Sequence, residues 1–128
     1  MNQDEDLNFV GAQPGAVSVV DGKIVVGEGA SYIAFTGLPV IAGPHAFVTG
    51  GVGSIVFALE HSRVTAESGS MVRGLAHSSI IAKAGSQVYV EAGASLTAMR
   101  GAEVWAEDGA HVINQGGATV YRVVRPTR

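Results

Sequence analysis

The sequence repeats a pattern of eight residues from Gly15 to Pro126 without a gap. The clearest copies are RVTAESGS, SIIAKAGS, QVYVEAGA, SLTAMRGA and EVWAEDGA, which begin at residues 63, 79, 87, 95 and 103. A short fixed repeat is typical of a solenoid, in which each unit buries its apolar face only by stacking on its neighbours. The repeat therefore predicts an architecture more directly than it predicts a biochemical activity.

Two positions of each octad carry the apolar pattern. The second position is almost always β-branched or aliphatic, and the fourth is almost always Ala, Gly or Val. Because side chains alternate along a strand with a period of two, both positions face the same side. Each octad therefore predicts a short strand with one larger and one small residue directed into a thin interior. No segment sustains the 3.6-residue period of a helix.

The seventh position marks the corners of the coil, because a corner needs a residue that tolerates positive φ and this position is usually Gly. It is Gly in every alternate octad between Gly37 and Gly117. In the intervening octads it is first His and then Gly: His45, His61, His77, Gly93, Gly109. This second period of sixteen residues favours a two-sided coil over a three-sided one. We predict an all-β, parallel β-solenoid (β-helix) with two octads and two strands per 16-residue coil, in about seven coils.

The limits of the repeat define the domain organisation. Residues 1–14 lack the octad and are predicted to form an N-terminal cap or arm, residues 15–126 form the solenoid, and residues 127–128 form a tail. A chain of 128 residues has room for one domain. The 18 glycines are consistent with one special backbone position per repeat. Because there is no cysteine, we expect neither disulfides nor thiolate metal ligands, and no cofactor is expected.

Charge and hydropathy limit the partners and the location. A net charge of −3 argues against nucleic-acid binding. No apolar run approaches the roughly 18 residues that span a membrane, so no membrane partner is expected. The first residues, MNQDED, are acidic and do not resemble a signal peptide. We expect a protein that is made in the cytoplasm and acts in a virion or on an extracellular surface, reached by lysis, by particle assembly or by a non-classical route.

The octad x-V-x-A-x-x-G-A/S resembles the octapeptide repeats of β-solenoid proteins from actinobacteria and their phages. The resemblance covers residues 55–122 well and residues 15–54 loosely. It implies a phage virion component, such as a capsid decoration or tail-associated protein. The sixteen-residue coil is also distantly similar to ice-nucleation repeats. Those repeats carry Thr-x-Thr ladders, whereas this chain has single ranks that isoleucines interrupt: Thr49, Thr65, Ile81, Thr97, Ile113.

Alternate third positions place aromatic residues and one arginine in an outward column: Phe57, Arg73, Tyr89, Trp105, Tyr121. These side chains should stack about 4.8 Å apart. Because an exposed aromatic stripe on a small protein commonly marks a binding surface, we predict a protein interface here. The other two interpretations are a ladder that only stabilises the sheet and a platform on which sugar rings stack.

The histidines His45, His61 and His77 should form a second column along one corner. Three imidazoles could share a transition metal, but tetrahedral ligation needs convergent ligands and a column does not supply them. A column that becomes charged below about pH 6.5 and repels itself is a second possibility. The simplest interpretation is three exposed histidines at a corner that tolerates them, and we predict no metal site.

Two glutamates are the candidate catalytic carboxylates of the chain. Glu91 and Glu107 occupy the fifth position of alternate octads and should stack, at a spacing close to the ~5 Å of retaining glycosidases. Such a pair needs a cleft, however, and a position beside a solenoid corner is convex. Glu67 and Lys83 are expected to form a cross-strand ion pair. No catalytic residue is predicted, and the protein is not expected to be an enzyme.

These patterns favour a non-enzymatic structural and interaction protein, which forms a homo-oligomer or binds capsid or tail proteins. Three alternatives remain open. The first is a glycan-binding or host-surface adhesion module that uses Arg73, Tyr89 and Trp105. The second is an ice-binding protein that uses the threonine face, and the third is a small glycosidase.

Overall fold

The computed structural model describes residues 15–35 and 37–123, and every regular element in these two segments is a strand. The strands are β1 (Val17–Val20), β2 (Lys23–Val26), β3 (Ser31–Ala34), β4 (Val40–Ala42), β5 (Phe47–Gly50), β6 (Ile55–Ala58), β7 (Arg63–Ala66), β8 (Met71–Gly74), β9 (Ser79–Ala82), β10 (Gln87–Val90), β11 (Ser95–Ala98), β12 (Glu103–Glu107), β13 (His111–Asn114) and β14 (Thr119–Val123). The predicted arm at residues 1–14 and the tail at residues 127–128 lie outside the described residues. Within the two segments no helix is long and apolar enough to cross a membrane.

From β2 onward the chain winds as a two-sided β-solenoid. Successive strands alternate between an eight-stranded sheet, ordered β1-β2-β4-β6-β8-β10-β12-β14, and a six-stranded sheet, ordered β13-β11-β9-β7-β5-β3. Neighbouring strands in each sheet are parallel and offset by sixteen residues, so that Val88 pairs with Val104 in one sheet and Leu96 with Val112 in the other. The predicted sixteen-residue coil is therefore confirmed, with about six turns rather than about seven.

The first octad departs from the repeat, which predicts a parallel strand beneath β3. Instead, β1 folds back and pairs antiparallel with β2, with Val20 opposite Lys23. The two residues between them, Asp21 and Gly22, have φ values of 51° and 77°. Positive φ at both central residues is the type I′ hairpin turn that Asp-Gly favours. This local turn signal overrides the octad and accounts for the smaller number of coils.

The interior is as thin as the repeat predicts, because a valine at the second position packs against an alanine at the fourth. Val56, Val104, Ala58 and Ala106 are examples of fully buried members of these two rows. The rows adjust to one another in volume. Where Ile80 replaces the usual valine, the facing wall has Gly74, and a Cβ built on Gly74 would overlap the Ile80 side chain. The larger isoleucine is matched by a glycine because overpacking a core lowers the stability of the fold, as a cavity does.

Most corners are four-residue turns in which the amide of the eighth residue donates to the carbonyl of the fifth, as in Ser70 N to Glu67 O at 3.1 Å. At the last corner the Ala118 amide donates instead to the Asn114 side chain. The third residue of the turn has positive φ, which is the type II pattern. At the central coils the eighth residue is a buried serine whose hydroxyl donates to the same carbonyl, at 2.6–2.7 Å: Ser54, Ser62, Ser70, Ser78, Ser86. Each of these buried hydroxyls therefore has a hydrogen-bond partner, as buried polar groups require.

The two corners of the coil differ in sequence, and we name them by their seventh residues. The glycine corner follows the strands of the six-stranded sheet and runs from Gly37 to Gly117. The histidine corner follows the strands of the eight-stranded sheet from β2 to β12, and its seventh residues are Gly29, His45, His61, His77, Gly93 and Gly109. Backbone hydrogen bonds continue from coil to coil along both corners, for example Gly69 N to Gly85 O and His61 N to His77 O, both at 2.9 Å.

Candidate interaction face

The predicted aromatic column lies on the outer side of the eight-stranded sheet, which we call the aromatic face. The strand register places Arg73 between Phe57 and Tyr89, and Trp105 between Tyr89 and Tyr121. These side chains point outward because the second and fourth residues of the same strands fill the interior. The structure therefore brings all five predicted residues into one row.

Arg73 forms the polar centre of this row. Its guanidinium carbon lies 4.9 Å from the centre of the Tyr89 ring, which is within the range of a cation–π interaction. The same group donates to one carboxylate oxygen of Glu91, from Nη2 at 2.9 Å and from Nε at 3.2 Å. Arg73 is half-exposed, so this ion pair contributes little stability, but it fixes the guanidinium over the ring.

Glu107 is the one buried charged residue of the described segments, with a relative exposure of 2%. Its carboxylate accepts a hydrogen bond from the Tyr89 hydroxyl at 2.8 Å and another from the Ala92 amide at 3.1 Å. The Tyr89–Glu107 contact joins residues eighteen apart, as the Arg73–Glu91 contact does. An outward third-position side chain thus reaches diagonally to the fifth position of the next coil. The two carboxylates that we expected to form a stacked pair are instead held by different partners.

Two of the aromatic rings stack along the axis of the rod. Trp105 and Tyr121 have centroids 5.4 Å apart and planes inclined by 20°. Each of these two rings therefore covers one face of the other. A sugar ring stacks on an open aromatic face, and this stack removes one such face from each ring. The row is therefore better suited to contact through its apolar edges and through the groups beside it.

Beside Arg73 the aromatic face is apolar. Met71 is 51% exposed, and Ile55 and Phe57 are also exposed. Together with Tyr89 and Trp105 they line a shallow depression of about 300 Å³. Exposed apolar side chains that cluster on one surface are more informative than scattered ones, because clusters commonly mark contact sites. Sequence reasoning missed Ile55 and Met71, although their shared place at the first position of alternate octads would have grouped them.

The histidine corner contains the predicted histidine column. The rings of His45 and His61 lie 5.6 Å apart and nearly parallel, and those of His61 and His77 lie 6.2 Å apart. All three residues have positive φ, between 61° and 68°. The lone pairs of imidazole nitrogens lie in the ring plane, so stacked rings do not direct them toward one point, which is a poor arrangement for a shared metal ion. Among the described residues no group of three or more His, Asp or Glu side chains is arranged to hold a metal.

The threonine face lies on the outer side of the six-stranded sheet. Thr49 and Thr65 are neighbours in register, but Ile81 separates Thr65 from Thr97. The predicted ion pair between Glu67 and Lys83 is present at the glycine corner. Lys83 Nζ lies 3.3 Å from Glu67 Oε2, as expected of a cross-strand pair in which both side chains are substantially exposed.

Comparison with known proteins gives no match. No protein-family model, no curated protein and no solved structure matches this chain. Its function must therefore be argued from its own geometry.

Proposed function

We propose that this chain is a non-enzymatic structural and interaction module that binds a protein partner through the aromatic face. The observation that carries the proposal is the depression lined by Ile55, Phe57 and Met71, beside a guanidinium that Glu91 and Tyr89 hold in place. Protein interfaces combine an apolar centre with aromatic and arginine side chains in this way. The preorganised Arg73 would lose little conformational freedom on binding.

The setting that we propose is a larger assembly such as a phage virion, in which the chain serves as a capsid decoration or tail-associated protein. The resemblance of the octads to octapeptide-repeat proteins supports this part of the proposal. A rod of stacked coils also suits a structural role, because it offers long flat faces to neighbouring subunits.

The alternatives receive less support from the geometry. A sugar platform needs open ring faces, whereas Arg73 covers Tyr89 and the Trp105 and Tyr121 rings cover each other. A glycosidase needs two carboxylates in a cleft, whereas Glu107 is buried against Tyr89 and Glu91 is bound to Arg73. An ice-binding face needs a regular threonine array, which Ile81 interrupts.

The proposal can be tested with the proteins encoded beside this one, purified and titrated against it by biolayer interferometry. We expect at least one of them to bind, and Phe57→Asp to weaken binding by about tenfold or more because it places a charge in the apolar depression. Ile81→Asp is the matched control, since it is also an exposed third-position residue but on the opposite sheet. Equal loss in both variants, or no binding by any neighbour, would count against the proposal.

A further inference from the structure

The N-terminal end of the rod has one incomplete coil. The eight-stranded sheet extends to β1, whereas the six-stranded sheet stops at β3. Among the described residues, each of these strands is therefore paired on one side only. Unpaired strand edges are groups that proteins cover or use for pairing with another chain.

The inner face of β1 shows that an opposing strand is missing. Val17 pairs with Val26 and Val19 with Ile24, so both valines face the interior of the solenoid. They are nevertheless 40% and 67% exposed, because no described strand lies across from them. Apolar side chains directed into an interior that is open on one side favour a partner that closes it.

The C-terminal end is built differently. There the inward fourth positions carry Asn114 and Arg122 in place of the usual small residue. The Asn114 side chain accepts hydrogen bonds from the amides of Gly116 and Ala118, at 2.9 and 3.3 Å, and donates to the carbonyl of Ala118. Among the described residues β13 and β14 are also paired on one side only, but these polar groups make the C-terminal end less suited to an apolar end-on contact.

We propose that two copies of this chain join head to head at the N-terminal end, about a two-fold axis parallel to the strands. Each copy's β1 then lies beside the other copy's β3. In one copy β1 and β3 run in the same direction, because β1 is antiparallel to β2 and the two walls of the coil run oppositely. The new pairs are therefore parallel, as in the rest of the solenoid, and the two β1 strands form one shared coil.

Residues 1–14, which the sequence predicts to be a cap or arm, are the other candidate occupant of this end. We favour a second copy because the incomplete coils of two N-terminal ends complement each other. The axis places Val17 and Val19 of one copy opposite the same residues of the other, which closes the interior on both sides. A two-fold axis perpendicular to the walls would pair β1 with β1 and leave two gaps facing each other. Only the first arrangement pairs all four free edges, and closed two-fold contacts of this self-complementary kind are the commonest in homo-oligomers.

The contact can be tested by light scattering on the full chain between about 1 µM and 1 mM, because a one-coil contact is smaller than a standard interface and should be micromolar. We expect the mass to rise from that of the 13.1 kDa chain to twice that value. Val19→Asp should weaken the dimer by about tenfold or more, because it buries an unpaired charge. Ile113→Asp, an exposed residue in β13 at the other end, should leave the dimer intact.

A cysteine pair separates this arrangement from a simple loss of folding. If Val17 and Val19 of one copy lie beside Tyr32 and Ala34 of the other, then Ser18 lies beside Ile33 across the contact. The chain has no cysteine of its own, so Ser18→Cys combined with Ile33→Cys should oxidise to a covalent dimer, and neither single variant should do so. The proposal would be overturned if the natural chain stayed monomeric at about 1 mM and the double cysteine variant formed no covalent dimer. It would also be overturned by a dimer that Met71→Asp disrupts and Val19→Asp does not, since the contact would then lie on the aromatic face.

Discussion

The glycine corner and the histidine corner share one turn geometry but not one sequence. At both corners the seventh residue of the octad has positive φ, for example 84° at Gly69 and 67° at His61. The same amide-to-carbonyl bond closes both turns, from Ser70 to Glu67 and from Ser62 to Leu59. Backbone conformation alone therefore does not explain why only one corner accepts side chains.

The space beside the seventh residue differs between individual positions of the two corners. A Cβ built on Gly85, at the glycine corner, would lie 3.1 Å from the Cβ and 3.3 Å from the Cα of Ser68 and would overlap its hydroxyl. A Cβ on Gly93, at the histidine corner, would meet the Cβ of Ala76 at an ordinary 3.4 Å. The space also varies within each corner, since a Cβ on Gly69 would meet Val52 at an ordinary 3.4 Å and a Cβ on Gly109 would meet the Cβ of Ala92 at a tight 3.2 Å. The requirement for glycine is therefore strictest at particular coils, such as the one that contains Gly85.

The largest expected effect is at the glycine corner. We expect Gly85→Ala to lower the free energy of unfolding by about 2–3 kcal/mol, because left-handed strain and a clash with Ser68 add together. Gly93→Ala should cost about 1 kcal/mol, since only the strain applies. Urea unfolding followed by circular dichroism measures both values. Equal losses in the two variants would mean that the closer contact beside Gly85 has no energetic consequence.

A smaller effect of opposite sign is expected at the histidine corner. His61→Gly should raise the free energy of unfolding by about 0.5–1 kcal/mol. Glycine removes the strain of the left-handed backbone, and this gain is larger than the conformational entropy that glycine loses on folding. His111→Gly is the matched control, since His111 begins strand β13 and is absent from the residues with positive φ. That control should instead be destabilised. If both substitutions by glycine destabilise the protein, then the stacked histidine rings themselves stabilise the corner.

The smallest effect concerns the ion pair at the fifth position of the glycine corner. Lys83→Ala should change the free energy of unfolding by less than about 0.5 kcal/mol, because the pair with Glu67 is exposed and screened by salt. Thermal melts in low and in high salt would detect the difference. A loss above about 1 kcal/mol would mean that surface charge contributes substantially to the stability of the glycine corner.

Much of this architecture could be predicted from the sequence because the repeat encodes it directly. The alternation of glycine and histidine at the seventh position separates the two corners, and the rows at the second and fourth positions predict the interior. Register then follows from the period, so the row from Phe57 to Tyr121 could be placed without coordinates.

What could not be predicted depends on signals that the repeat conceals. Gly22 falls at the eighth position of its octad, so the Asp21-Gly22 hairpin is easily taken for another corner. The fifth position of the octad predicts that Glu107 is exposed. Its long side chain instead turns toward the Tyr89 hydroxyl and is buried. Diagonal contacts of this kind depend on side-chain length and rotamer, which a position within an octad does not specify.

The hydrogen bonds that continue along both corners have a mechanical consequence. The bonds from Gly53 to Gly69, from Gly69 to Gly85 and from Gly85 to Gly101 all run from coil to coil, as the strand bonds do. A force applied along the rod therefore loads one coil interface after another in series, and the weakest interface yields first. A force across the rod loads many interfaces in parallel. The rod should extend in equal steps when pulled by its ends, yet resist being torn sideways.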